Sequence, residues 1–226
     1  MNTKKRVLFL GKKNDKLTEI AASICAEKFK FTKTFFVQRT DEIDKNIKNW
    51  RGDIIISYLY PKLISKKLLS NAKLISINFH PGPPEYPGIG CTNYAIYNKE
   101  KQYGVTCHIM NEVIDAGDIL EVKRFKLRKN ETLISLTERA YLHLFEMYLG
   151  IVEKLKNNQL IEVCKNEKWI GKAKTKKNFE NFLLLNSNMK PHEIKRRIIA
   201  TTWPKRDSAY FKIKGFKFFG KLDNND

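Results

Sequence analysis

DIIISYLYPKLISKKLLSNAKLISINFH, residues 53–80, sets the fold class. Residues 53–59 form an apolar run rich in β-branched side chains, the composition of a strand covered on both faces. Pro61 stands where proline commonly opens a helix, and a helix is expected from there to Leu69. Residues 73–80 read as the next strand. Strand, helix, strand in this order is a crossover unit, which joins parallel strands.

The pattern extends in both directions. Upstream, residues 7–10 read as a short strand ending at Gly11. Leu17, Ile20, Ala21, Ile24 and Cys25 then recur at helical spacing. Residues 34–37 read as a strand and residues 41–50 as a weaker helix. Downstream, residues 92–98 read as a short helix. Residues 103–110 alternate like a strand, with Val105, Cys107 and Ile109 on one face. A turn over residues 111–120 leads into a strand ending near Leu127. Residues 132–156 carry the strongest helical stripe: Leu133, Leu136, Ala140, Leu144, Met147, Ile151 and Leu155. The expected fold is therefore α/β: a Rossmann-like, mostly parallel sheet with helices on both faces.

Beyond residue 160 the character changes, and a division into residues 1–160 and 161–226 is expected. Residues 169–179 are basic and turn-like. Residues 191–203 read as a helix opening at Pro191. Residues 209–222 read as a β-hairpin turning at Lys214 and Gly215. An isolated hairpin is marginal in water, so its aromatics must cover something, either the main sheet or a second copy of the chain.

The 226 residues contain 43 Lys+Arg against 24 Asp+Glu, a net charge of +19. The lysines are dispersed, which reads as a solvated face with a minority lining an anion site. No apolar run is long enough to span a bilayer. The apolar part of the N-terminal stretch is too short for a signal peptide. A cytoplasmic protein with no membrane contact is expected. The four cysteines are scattered without a CxxC pair, so no metal site is expected. Cys91 has no activating arrangement beside it, which argues against a nucleophile. GxGxxG and GxxxxGK[ST] are both absent.

In a doubly wound sheet, ligands bind beyond the carboxyl ends of the strands. Asn78 and His80 lie at such an end and, two apart, project from one face. A stiff loop, PGPPEYPGIG, follows at residues 81–90. Asp115 lies in the loop after another strand and is expected at the same end of the sheet. An amide can donate to a developing oxyanion. An imidazole can move a proton near neutral pH. A carboxylate can fix its tautomer.

SINFHPGPPEYPGIG, followed by YGVTCHIMNEVIDAGDIL, resembles the folate-dependent formyltransferases. The shared pattern is Asn-x-His-Pro at a strand end, a Pro/Gly loop, Gly104-Val105-Thr106, and an Asp-x-Gly-Asp turn at residues 115–118. The resemblance covers roughly residues 5–160. It implies that Asn78, His80 and Asp115 are the catalytic triad and that 10-formyltetrahydrofolate is the cosubstrate, with no metal. It places the folate near Tyr58, Leu59 and Tyr60 and near Val113, Ile114 and Asp118.

Within the family, the run His80-Pro81-Gly82-Pro83-Pro84, with Tyr86-Pro87-Gly88, looks like the bacterial sugar-nucleotide N-formyltransferases. The glycinamide ribonucleotide branch reads differently after its His-Pro. The methionyl-tRNA branch carries a larger C-terminal domain than the residues after 160 would make. The resemblance thus implies formylation of a nucleotide-linked amino sugar, with dTDP-4-amino-4,6-dideoxyglucose first, for surface polysaccharide such as O-antigen. Substrate contacts are expected from Lys12, Lys13, Pro81, Gly82, Pro83, Gly88, Asn93 and Tyr97, with Lys174, Arg196 and Arg197 as alternative cations. A homodimer, joined through the C-terminal hairpin, is expected. A methionyl-tRNA formyltransferase-like enzyme and a non-catalytic nucleic-acid-binding module on the same fold are the competing readings. The intact triad weighs against the latter, and a nucleic-acid partner is not expected.

Overall fold

A computed structural model describes residues 4–204 and 208–222. Six strands form the main sheet: β1 (Arg6–Lys12), β2 (Phe31–Val37), β3 (Gly52–Tyr58), β4 (Ala72–His80), β5 (Gln102–Ile109) and β6 (Ile119–Lys126). Their spatial order is β2-β1-β3-β4-β5-β6. The pairings from β2 through β4 are parallel, and those of β4 with β5 and β5 with β6 are antiparallel. The chain goes to β2 on one side of β1 and then to β3 on the other, which opens a crevice at the carboxyl ends of β1 and β3.

Alternation along the central strands sorts their side chains between two cores. Val7, Phe9, Ile54, Ile56 and Tyr58 point to a face covered by α1 (Lys16–Lys28), α4 (Cys91–Asn98) and α5 (Leu133–Lys156). Leu8, Leu10 and Ile55 point to the other face, with Ile47 of α2 (Lys45–Lys48) and Leu68 of α3 (Lys66–Leu69). All these side chains are buried, which is why the strands read as continuous apolar runs.

The stripe expected on α5 is buried along its whole length. Thr132 and Ser135 cap the helix reciprocally. Tyr148 fastens α5 to α1 by donating to the Ala21 carbonyl at 2.6 Å. Gly150 lies exposed inside this helix, and a Cβ there would meet nothing within 4 Å. Gly150→Ala is expected to stabilise the protein by about 0.5–1 kcal/mol. Chemical denaturation would read this as a higher midpoint at unchanged slope.

Two helices are shorter than their sequence patterns. α2 is a single turn capped by Asp44. Pro61 does not open a helix. α3 begins at Lys66, because the Ser65 side chain caps it by accepting from the Leu68 N–H. Leu59 turns the chain at φ +52° just before Pro61. Residues 61–64 then run irregularly along a cavity wall.

Past α5 the basic stretch contains a helix that was not expected, α6 (Lys176–Leu183), with a Thr175/Asn178 capping box. It is followed by β7 (Leu184–Leu185), α7 (Pro191–Thr201), β8 (Tyr210–Ile213) and β9 (Phe216–Phe219). The hairpin turns at Lys214 and Gly215, both at positive φ, the geometry that matches strand twist. It does not rest on the main sheet. β8 pairs with β7, making a separate three-stranded sheet. That sheet packs on Ile198 of α7, while α7 itself lies against α4. Phe216, Phe218 and Phe219 are exposed. Among the described residues no helix is long and apolar enough to cross a membrane.

Candidate active site

Asn78 and His80 project from one face of β4, and the core residues Ile77 and Phe79 project from the other. The cross-strand neighbour of Asn78 is His108 on β5. Because β5 is antiparallel to β4, Asp115 does not arrive from a carboxyl end level with His80. The chain leaves β5 at Ile109, opposite Ile77. The loop of residues 110–118 then carries Asp115 back to the two side chains. Asp115 sits at φ +43°, a conformation that aspartate tolerates better than most residues. Gly117 makes the turn possible: a Cβ there would lie 1.8 Å from the Ile109 carbonyl oxygen.

The result is a buried carboxylate between two imidazoles. Asp115 Oδ2 lies 3.2 Å from His80 Nδ1, and Oδ1 lies 3.3 Å from His108 Nε2. Gly88 N–H donates to Oδ2 at 2.7 Å. Asn78 Nδ2 lies 3.1 Å from His108 Nε2 and 3.4 Å from Asp115 Oδ1. Burial pushes the Asp115 carboxyl up, but His80, His108 and the Gly88 N–H together hold it well below the usual carboxylate range. It is therefore ionised at neutral pH. For His80, burial is the largest influence and pulls its proton affinity below the ordinary histidine value. The Asp115 carboxylate and the Tyr86 carbonyl, 3.0 Å from Nε2, oppose that pull, while His108 adds to it. Both ring nitrogens of His80 thus face oxygen acceptors in a desolvated setting. Such a group can take up a proton and give it back.

The Pro/Gly loop is fastened from below. Tyr103 and Thr106 donate to the carbonyls of Pro81 and Gly82 at 3.0 and 2.8 Å. Gly82 allows the loop to close on His80, since a Cβ there would lie 2.6 Å from Nε2. Cys91 is buried behind the loop. Burial pushes its thiol up to about 11, which disfavours the thiolate at neutral pH.

A cavity of about 690 Å³ opens over Asn78, His80 and Asp115. Of the other residues expected in a site, Lys12, Leu59, Tyr60, Pro81, Gly88, Asn93, Val113 and Ile114 line it. The rest do not. Tyr58 is fully buried in the core against Phe79 and Tyr148, because its place in β3 points it to the α5 face. Asp118 is exposed outside the wall, and its backbone carbonyl serves Ile109 N–H. Lys13 is exposed one residue past the strand that holds Lys12. Gly82 and Pro83 are buried beneath the loop surface. Tyr97 turns away and donates to Glu193 of α7.

The alternative cations do not line the cavity either. Arg196 lies over the Tyr97 ring and donates to the Tyr97 carbonyl. Arg197 pairs with Glu193. Lys174 lies over Tyr94, in a separate cleft. Cations in the main wall are Lys12, Arg39, Lys62 and Lys176.

His108 was missed by the sequence reading, and so was Trp169, whose indole meets the His108 and His80 rings edge-on. Alternation had a signal for His108: with Val105, Cys107 and Ile109 on one face, His108 falls on the other, where Asn78 pairs with it. Trp169 had none, since it comes from the irregular stretch after α5.

The formyl transferase family model matches residues 4–152. Among curated relatives, the chain is 34% identical over 136 residues to a methionyl-tRNA formyltransferase of Ehrlichia ruminantium, covering 58% of this chain and 43% of that protein. It is 37% identical over 108 residues to a GDP-perosamine N-formyltransferase of Brucella melitensis, covering 46% of this chain and 42% of that protein. The matches thus span less than half the length of these relatives.

Solved structures that share the fold include two N-formyltransferases. A 4-N formyltransferase from Francisella tularensis superposes with a TM-score of 0.75 at 20% identity, over 96% of this chain and 97% of that one. An N-formyltransferase from Helicobacter canadensis, solved with folinic acid and dTDP-3-aminofucose, superposes with a TM-score of 0.68 at 17% identity, over 96% and 86%.

Proposed function

The chain belongs to the formyl transferase family, and from that premise we propose that it transfers a formyl group from 10-formyltetrahydrofolate to the amino group of a nucleotide-linked amino sugar. The observation that carries this reading is the contact of Asn78, His80 and Asp115 in the wall of one cavity. The cavity has the size of a small-molecule site and mixes apolar wall with a few polar groups. Leu59, Leu63, Ile64, Met110 and Val113 offer an apolar lining suited to a flat heterocycle, and the four wall cations offer partners for phosphate.

The folate cosubstrate supplies the formyl group. Burial disfavours the charged form of His80; with Nδ1 directed at Asp115, it takes the attacking amine's proton on Nε2, whose contact with the Tyr86 carbonyl yields to the incoming amine. As an imidazolium it then pairs with the ionised Asp115 and returns the proton to the departing nitrogen. Asn78 donates to the oxygen on which charge develops. Its contact with Asp115 is long, 3.4 Å, so an arriving oxygen competes well for that hydrogen.

dTDP-4-amino-4,6-dideoxyglucose is the first substrate to test, with a role in surface polysaccharide. Mass spectrometry of a reaction with 10-formyltetrahydrofolate should show a product about 28 Da heavier, hydrogen replaced by formyl. Folate binding without that product rejects this sugar and moves the assay to GDP-linked and 3-amino sugars. Formylation of methionyl-tRNA instead would establish the competing reading, which the Ehrlichia relative favours.

The exposed Phe216, Phe218 and Phe219 carry the proposal that the hairpin joins two copies of the chain. Sedimentation of a Phe216→Asp/Phe218→Asp variant is expected to give monomer where the parent gives dimer. An unchanged association state removes the hairpin as the contact.

A further inference from the structure

The chain after α5 does not leave the site. It runs back across it as a strap. Cys164 N–H bonds the Ile119 carbonyl at 2.7 Å, beside the Asp115 turn. Glu167 holds Arg124 through two contacts, at 3.1 and 2.8 Å, and Arg124 also reaches Glu85 of the Pro/Gly loop. Trp169 follows two residues past Glu167. Its indole meets the His108 ring edge-on at 5.0 Å between centroids and the His80 ring at 5.8 Å. Its Nε1–H donates to the Gly117 carbonyl at 2.8 Å, two residues past Asp115. The next residue, Ile170, donates its N–H to the Pro84 carbonyl at 2.9 Å, in the loop whose Tyr86 carbonyl faces His80. Trp169 is not part of the cavity wall.

We propose that Trp169 is a positioning residue for the His80–Asp115 pair, clamping the imidazole from one side while its indole N–H pins the turn that carries the carboxylate. The inference rests on the formyl-transfer reading above. One side chain reaches His80 and the turn that carries Asp115, and its backbone neighbour Ile170 bonds the loop whose Tyr86 carbonyl faces His80. Asp115 sits at positive φ in a turn that Gly117 closes against β5, and the indole N–H adds a hold on that turn from outside it. Without it, His80 and Asp115 fall out of register by a fraction of an ångström, which is enough to slow proton transfer without touching substrate binding.

The test compares the full-length protein with Trp169→Phe and Trp169→Ala. Trp169→Ala is expected to lower kcat about 10- to 100-fold with KM for both substrates within about threefold. Trp169→Phe, which keeps a ring and loses the N–H, should fall between. Long-range proton–nitrogen NMR spectra of the ligand-free proteins read which imidazole nitrogens carry protons. A changed nitrogen pattern for His80 in the folded variants supports the role.

A rise in KM at unchanged kcat, or parental kcat and an unaltered His80 pattern in a folded variant, overturns it. If Trp169→Ala does not fold, Trp169→Phe alone decides by the same criteria. Absence of product from the parent enzyme sinks the formyl-transfer reading, and the NMR comparison then still judges whether Trp169 holds His80.

Discussion

Replacing His80 with alanine is expected to lower kcat for formyl transfer by about 10²–10⁴-fold while the protein stays folded. Three observations set the size of this effect. His80 is 4% exposed, so water does not readily substitute for the missing ring. Its partner Asp115 keeps the His108 ring and the Gly88 N–H after the change, both of which favour the ionised carboxylate, and a carboxylate is too weak a base to take the ring's place. Its other flank is a backbone carbonyl, that of Tyr86, which can accept a hydrogen bond and do nothing more. His108 is the one other imidazole on Asp115 among the described residues, and it lines the same cavity. A His80→Ala enzyme retaining more than about a tenth of parental kcat would transfer the role to His108. Assaying His80→Ala and His108→Ala side by side, with folate binding as a check on the pocket, separates the two.

Gly117→Ala is expected to be the most damaging change of a single methyl group. The added carbon would stand 1.8 Å from the Ile109 carbonyl oxygen. That oxygen belongs to the end of a strand bonded on both edges, so it cannot yield as a flexible side-chain tip would. The turn must move, and Asp115 and the carbonyl that receives Trp169 move with it. A loss of about 3 kcal/mol is expected, which lowers Tm by roughly 6–12 °C for a chain of this size. Formyl transfer should fall in parallel, because the carboxylate leaves its place between the imidazoles. Calorimetry and the same product assay check both. A Tm within about 1 °C of the parent would mean that the turn has slack the close approach does not reveal.

The α/β class was legible because burial on two faces leaves an unmistakable composition. Residues 53–59 are almost wholly apolar because helices cover both sides of β3, and the stripe of α5 marks one of those covers. Asn78, His80 and the Asp115 turn stood out because a strand end followed by a Pro/Gly loop, then an Asp-x-Gly-Asp turn, is a pattern carried by local sequence. Spacing alone also settled which face Asn78 and His80 share.

What the sequence could not carry were facts about direction and long-range return. Nothing local to residues 102–109 says that β5 runs antiparallel to β4, yet that orientation sets His108 beside Asn78 and makes Asp115 arrive by a returning loop. Tyr58 looks like a strand-end ligand contact until the helix α5 packs on the face it shares with Ile54 and Ile56, and Lys13 looks equivalent to Lys12 until the strand ends between them. Trp169 lies more than fifty residues from Asp115 in the chain, in a stretch without periodicity. Its place over the two imidazoles is decided by the hydrogen bonds of the strap to the Pro/Gly loop and to the Asp115 turn. Contacts of that kind exist only once the elements are packed, because loop closure brings together groups whose local sequences bear no mark of one another.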